Sequence, residues 1–142
     1  MIHRLTGRCH CGKVTVTFET TTDPNALQLR ACDCSFCRKH SGLTVSDPNG
    51  KLVFRAADPA KLTRYRFGTK TADFLLCAVC GVYLGVHMEL DGQGYGVLNI
   101  NALDDRTPFD RPPEPTHLGG EEVGDRLARR KGRWTPAEVV GG

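Results

Sequence analysis

The chain has 142 residues, 39% of them hydrophobic and 25% charged, with a formal net charge of +3. That length holds one domain with a modest core and excludes two ordinary ones. A charge of +3 is too weak to imply nucleic acid as the partner by itself, since phosphate binding usually needs a concentrated basic face.

The first ten residues, MIHRLTGRCH, carry neither the apolar stretch nor the small-residue cleavage site of a secretory signal. No apolar run approaches the length of a membrane span, so the expected compartment is the cytoplasm. KVTVTFE at 13–19 alternates strictly, with Val14, Val16 and Phe18 on one side, and predicts a half-buried strand. Leu27, Leu29 and Ala31 repeat the pattern. Further strands are predicted at 43–46, 51–56, 62–67, 73–77, 82–88 and 94–100, separated by turn signals such as Pro48-Asn49-Gly50 and Asp91-Gly92. Helix is scarce: a short turn after Cys37, and an amphipathic helix over 121–131 with Val123 and Leu127 on one face. Residues 104–120 carry four prolines and read as a loop, and residues 121–142 as a short basic tail. The fold class is mainly β, in a single domain.

Seven cysteines in a reducing compartment point to metal ligation rather than to disulfides. They form C-x-C at Cys9 and Cys11, C-x-C-x-x-C at Cys32, Cys34 and Cys37, and C-x-x-C-G at Cys77 and Cys80. A C-x-x-C turn brings two sulfurs to one metal, and the following Gly81 suits a positive φ at the turn exit. Cys9 and Cys11, two apart, present both thiols on one face. Together the four make a closed tetrathiolate site for a structural zinc, cross-linking segments almost seventy residues apart. The plainer alternative is that Cys9 or Cys11 is simply buried.

The triplet lacks a fourth cysteine. Three protein ligands leave one tetrahedral position for water or substrate, as in catalytic zinc sites, and a coordinated thiol is ionised. Such a site would make a thiolate nucleophile at neutral pH. Two alternatives stand beside this one. His40, three residues on, could close a Cys₃His structural site, or Cys34 and Cys37 could be redox-active.

GRCHCGKVTVTFE, ACDCSFCRKHSG and FLLCAVCGVYLG, occurring in this order over about residues 5–120, resemble the glutathione-dependent formaldehyde-activating enzyme family, which shares its domain with centromere protein V. The resemblance implies a β-tent fold of several small coiled antiparallel sheets with two Zn²⁺ ions. It assigns Cys9, Cys11, Cys77 and Cys80 to the structural zinc. Cys32, Cys34 and Cys37 go to a catalytic zinc whose open position admits a thiol, leaving His40 uninvolved. The implied activity is carbon–sulfur lyase chemistry joining glutathione to formaldehyde. Asp33, where relatives commonly carry histidine, and Leu43-Thr44-Val45-Ser46 after the Ser-Gly depart from the pattern.

Glutathione carries two carboxylates, and Arg38 and Lys39 are the basic residues nearest the triplet in sequence, with Arg64 and Arg66 as further candidates. His10 reads as an exposed bystander, and His87 and His117 as isolated. Asn99 and Asn101 lie on one strand face, where a ligand or a sheet edge would occupy them. ARRKGRW at 128–134 reads either as a partner or DNA contact of a non-catalytic zinc module, or as a helix end with Trp134 packed on the body.

Overall fold

The computed structural model describes residues 1–118 and 120–141. Eleven strands are formed: β1 (His3–Arg8), β2 (Val14–Thr20), β3 (Arg30–Cys32), β4 (Thr44–Val45), β5 (Lys51–Ala56), β6 (Leu62–Tyr65), β7 (Asp73–Cys77), β8 (Tyr83–Leu90), β9 (Gln93–Asn99), β10 (Glu114–Thr116) and β11 (Thr135–Val140). Two α-helices, α1 (Ser35–His40) and α2 (Val123–Arg133), and four short 3₁₀ turns complete the described elements. The mainly β expectation holds, and the sheet is not closed into a barrel. No helix among the described residues is long and apolar enough to cross a membrane.

β1, β2 and β5 form an antiparallel run. β11 then lies between β5, to which it is parallel, and β9, to which it is antiparallel. β9 is the branch point. One edge pairs with β8, which continues to β7 and β6, while the other carries β11 at Tyr95–Gly96 and β4 at Leu98–Asn99. From β4 the sheet extends to β3 and to a parallel β10.

This bending produces two cores. The larger buries Val14, Val16, Phe18, Leu52, Phe54, Leu84, Leu98 and Ile100. The smaller collects Tyr83, Val86, Met88, Val97 and Trp134, with Phe36, Phe74 and Leu127 packed against it. A bulge in β8 explains how one strand serves both. Leu76 opposes Tyr83 and Leu75 opposes Gly85, so Leu84 is the extra residue. The bulge switches the phase of the alternation, leaving Leu84 in the larger core while Tyr83 joins Val86 and Met88 in the smaller.

Several expectations are corrected here. Leu27 and Leu29 are buried but precede β3, which begins only at Arg30. The turn placed after Cys37 is a helix that begins at Ser35 and contains Cys37. The loop over 104–120 contains β10; its Gly119 lies outside the described residues. It is held down by Arg111, which donates to the carbonyls of Pro24, Leu27 and Pro108. The basic tail over 121–142, apart from Gly142, which lies outside the described residues, comprises α2 and β11. In α2, Leu127 packs inward as expected, whereas Val123 is exposed.

Thr135 fixes the start of β11. Its fully buried hydroxyl oxygen accepts the Asp47 amide at 2.8 Å, and Asp47 in turn accepts the Thr20 hydroxyl. Thr135→Val would orphan that amide, so a loss of about 1–3 kcal/mol is expected, read as a lower urea midpoint with unchanged m. An unchanged midpoint would show that the amide finds another acceptor.

Candidate metal centres and an arginine-lined cavity

The Sγ atoms of Cys9, Cys11, Cys77 and Cys80 lie within 4.8 Å of one another, brought together by the β1–β2 and β7–β8 turns. The turns are alike. Cys9 N–H donates to Val14 O and Gly12 N–H to Cys9 O; Cys77 N–H donates to Val82 O and Gly81 N–H to Cys77 O. Gly12 and Gly81 leave the turns at φ of 83° and 82°, as the sequence predicted for Gly81. Cys9 and Cys77 are buried, so burial alone accounts for neither Cys11, which is exposed, nor Cys80. Tetrahedral zinc with Zn–S of about 2.3 Å places its sulfurs about 3.8 Å apart. Here Cys11 Sγ is 3.6 Å from Cys9 Sγ and 3.5 Å from Cys77 Sγ. Val14 N–H points at Cys9 Sγ, and Val79 and Cys80 N–H at Cys77 Sγ, each at 3.4 Å, as thiolates require. The donor set and its spacing fit zinc.

Cys32, Cys34 and Cys37 form the second group, also within 4.8 Å. Cys32 ends β3, Cys34 caps α1 by accepting the Cys37 amide at 3.4 Å, and Cys37 sits in the first turn. The Cys37 thiol donates to Cys32 and, with the Cys34 amide, holds Cys32 down to about 5 against the opposing effect of burial. His40 is not in the group; its ring lies on Phe36, with centroids 4.4 Å apart.

The triplet opens onto a cavity of about 350 Å³. One side is apolar, built from Phe67, Phe74, Tyr83, Val86, Val97 and Trp134. The lining also includes Arg30, Arg126, Arg129 and Arg130, with Glu121; the Arg130 guanidinium lies over the Trp134 ring. The Tyr83 hydroxyl is buried and has no hydrogen-bond partner among the described residues. Burial foremost, and the neighbouring cysteine charges, raise its pKa well above the usual value, so it stays a neutral donor. Asn99 fixes it from behind, donating to Tyr83 O at 2.9 Å and accepting the Leu43 amide.

Residues 4–117 match the family described as glutathione-dependent formaldehyde-activating enzyme. The chain belongs to that family. A solved structure of a Rhodobacter sphaeroides protein superposes with a TM-score of 0.58 at 31% identity, covering 78% of this chain and 98% of that one. No curated protein matches the chain. The family match takes in all seven cysteines and Tyr83, but ends before α2, which supplies three of the four cavity arginines.

The structure thus brings each predicted cysteine set together. It places Arg38 and Lys39 on the exposed face of α1, outside the cavity lining, with Arg38 Nε donating to Asp33 O at 3.1 Å. Arg64 and Arg66 contact Asp73 at 3.3 and 2.5 Å, also away from the cavity. His10 is exposed and His87 buried in β8. His117 is not isolated: its Nδ1 lies 2.5 Å from Asp33 Oδ2, beside the triplet. Asn101 donates to Ser41 O, tying down the end of α1. Trp134 is buried, with the Arg130 guanidinium 4.7 Å over its ring. Reasoning from sequence missed Arg30, Tyr83 and the α2 arginines. For the last a signal existed, since positions 126, 129 and 130 share one helix face.

Proposed function

We propose that this chain is a cytoplasmic zinc-dependent enzyme of carbon–sulfur lyase type, adding a thiol, glutathione in the family's named activity, to a small aldehyde. The observation that carries this reading is a three-cysteine group that faces a cavity, with His40 outside the group and its ring against Phe36. Cys32, Cys34 and Cys37 would hold the catalytic zinc, and Cys9, Cys11, Cys77 and Cys80 the structural one. Zinc in the triplet supplies, when bound, ionisation of an incoming thiol at neutral pH.

The chain's own residues do the rest. Phe67, Phe74 and Val97 give the cavity an apolar lining, and electrostatic interactions are stronger beside such a lining than in bulk water. As the carbon–sulfur bond forms, the carbonyl π electrons move to oxygen, which takes up a proton to give the S-hydroxymethyl adduct. Tyr83 is the orphaned donor suited to hydrogen-bond that oxygen as its charge develops. The reverse reaction uses the same groups. The α2 arginines line the cavity and Trp134 is buried, which favours this reading over a DNA-contacting tail.

The test is cobalt substitution followed by glutathione titration. New thiolate-to-cobalt bands are expected, and spectra that ignore added thiol would sink the enzymatic reading. Tyr83→Phe is expected to slow exchange between free aldehyde and adduct by about 10²-fold, at a stability cost under about 1 kcal/mol. NMR exchange rates set beside a melting curve check both parts, and an unchanged rate removes Tyr83 from the chemistry.

A further inference from the structure

The arginine face of the cavity carries more positive charge than the protein itself neutralises. Four guanidiniums, from Arg30, Arg126, Arg129 and Arg130, line it, against the single carboxylate of Glu121. Glu121 is spoken for. It accepts two bonds from Arg129, at 2.9 and 3.1 Å, and lies 3.4 Å from Arg126. Arg130 is 8% exposed, yet among the described residues its Nη1 bonds only the neutral Thr71 hydroxyl at 2.9 Å and Met88 Sδ at 3.8 Å. Arg30 donates from Nη2 to the Ser46 hydroxyl at 2.6 Å. The Nε atoms of Arg30 and Arg130 are both buried without a partner among the described residues.

Burial first, and then the positive charges of Arg129 and Arg133, lower the pKa of Arg30 to about 10. Arg130 is likewise lowered to about 10 by burial and by Arg126 and Arg129. The Arg130 guanidinium lies over the Trp134 ring and Glu121 pairs with Arg129, but neither contact gives the buried Nε donors a hydrogen-bond acceptor. Four partly buried guanidiniums sharing one carboxylate are costly, and an oxyanion entering the cavity would relieve that cost. The cavity is also partly enclosed and small, which suits a metabolite-sized anion rather than a polymer.

We propose that Arg30 and the α2 arginines form a recognition site for the carboxylate of a reactant, turning its reacting atom towards Cys32, Cys34 and Cys37. The proposal rests on the thiol-addition reading and specifies its substrate class as anionic. Arg126, Arg129 and Arg130 lie beyond the residues matched to the family, whereas Arg30 lies within them. The carboxylate can come from the thiol or from the carbonyl partner.

Calorimetry on the zinc-loaded chain separates these sources. S-methylglutathione, which has the carboxylates but no free thiol, is compared with its diethyl ester, and glyoxylate with ethyl glyoxylate. The acid of at least one pair is expected to bind at least about tenfold tighter than its ester, and less tightly as salt is raised. A preference in the first pair assigns the carboxylate to the thiol, and in the second to the carbonyl partner. Arg30→Gln and Arg130→Gln should each remove that preference. Because Arg130 packs on Trp134, Arg126→Gln, with a melting curve, serves if the Arg130 variant unfolds. No preference in either pair, or a preference that survives in the folded variants, overturns the proposal. Cobalt bands formed with 2-mercaptoethanol, which has no carboxylate, report the thiol reading alone. Their absence beside a persisting acid preference would fail that reading and leave the anion site standing.

Discussion

Cys77→Ser should lower the melting temperature by roughly 10–20 °C and weaken zinc binding at the four-cysteine site. Cys77 ends β7, is 2% exposed, and lies 3.5 Å from Cys11 Sγ across 66 positions of chain. Its sulfur accepts two backbone amides, from Val79 and Cys80, which serine would bond with different geometry. Structural zinc contributes on the order of 10–16 kcal/mol to small metal-organised domains. Losing one of four ligands and keeping the sheet should forfeit about a third of that. For a chain of this size each kilocalorie corresponds to about 3–4 °C. Melting curves with metal analysis decide the matter. A variant melting within about 2 °C of the parent would mean that the two turns hold together without metal.

Cys37→Ser should do the opposite, removing chemistry and sparing the fold. The side chain changes little in size, and Cys37 cross-links only neighbouring residues, Cys32 and Cys34. Zinc content should fall to one per chain, with the melting temperature within about 5 °C of the parent. Thiol addition is expected to fall by about 10³-fold. A free thiol with pKa near 8.5 is only about 3% ionised at pH 7, so lost ionisation accounts for roughly 30-fold. The remainder is lost positioning of two reactants in one cavity. Aldehyde–adduct exchange measured by NMR provides the rate. Retention within tenfold of the parent would remove the triplet from thiol activation.

The strands that pack on two neighbours were legible in the sequence, β2 and β7 through clean alternation and β5 and β9 through apolar runs bounded by turn signals. The spans read at 51–56 and 73–77 coincide with β5 and β7, and β2 and β9 are displaced by a single residue. β1 was not legible because only Leu5 and Gly7 point inward from an edge strand of otherwise polar residues. β10 is three residues with a central proline, and its parallel pairing is dictated by β3, more than eighty residues earlier. β11 looked like part of a tail because Pro136 interrupts it and the preceding helix is dense in arginine.

The cysteine sets were legible for a different reason: metal ligation imposes local spacing, and local spacing survives in one dimension. Charge recognition imposes no such spacing. Arg30 and Arg130 are a hundred residues apart, and nothing local to Arg30 marks it as half of a site. Tyr83 was hidden by the β8 bulge, without which alternation would set it on the opposite face from Val86 and Met88.

The placement of β11 between β5 and β9 also dictates when the protein can become itself. Every other strand precedes it in the chain, yet it occupies an interior position that joins two parts of the sheet. Until residues 135–140 have been synthesised, β5 and β9 each present a bare edge, and such edges invite pairing with other chains. Assembly therefore waits on the last strand, and its long-range pairings to β5 and β9 make for slow, non-local closure. α2 is the segment that delivers β11 to that slot, so the helix bearing the cavity arginines is seated by the same late event. Metal binding at the local C-x-C-x-x-C can precede it. Nascent chains halted before residue 135 should bind metal there before they can discriminate between anions.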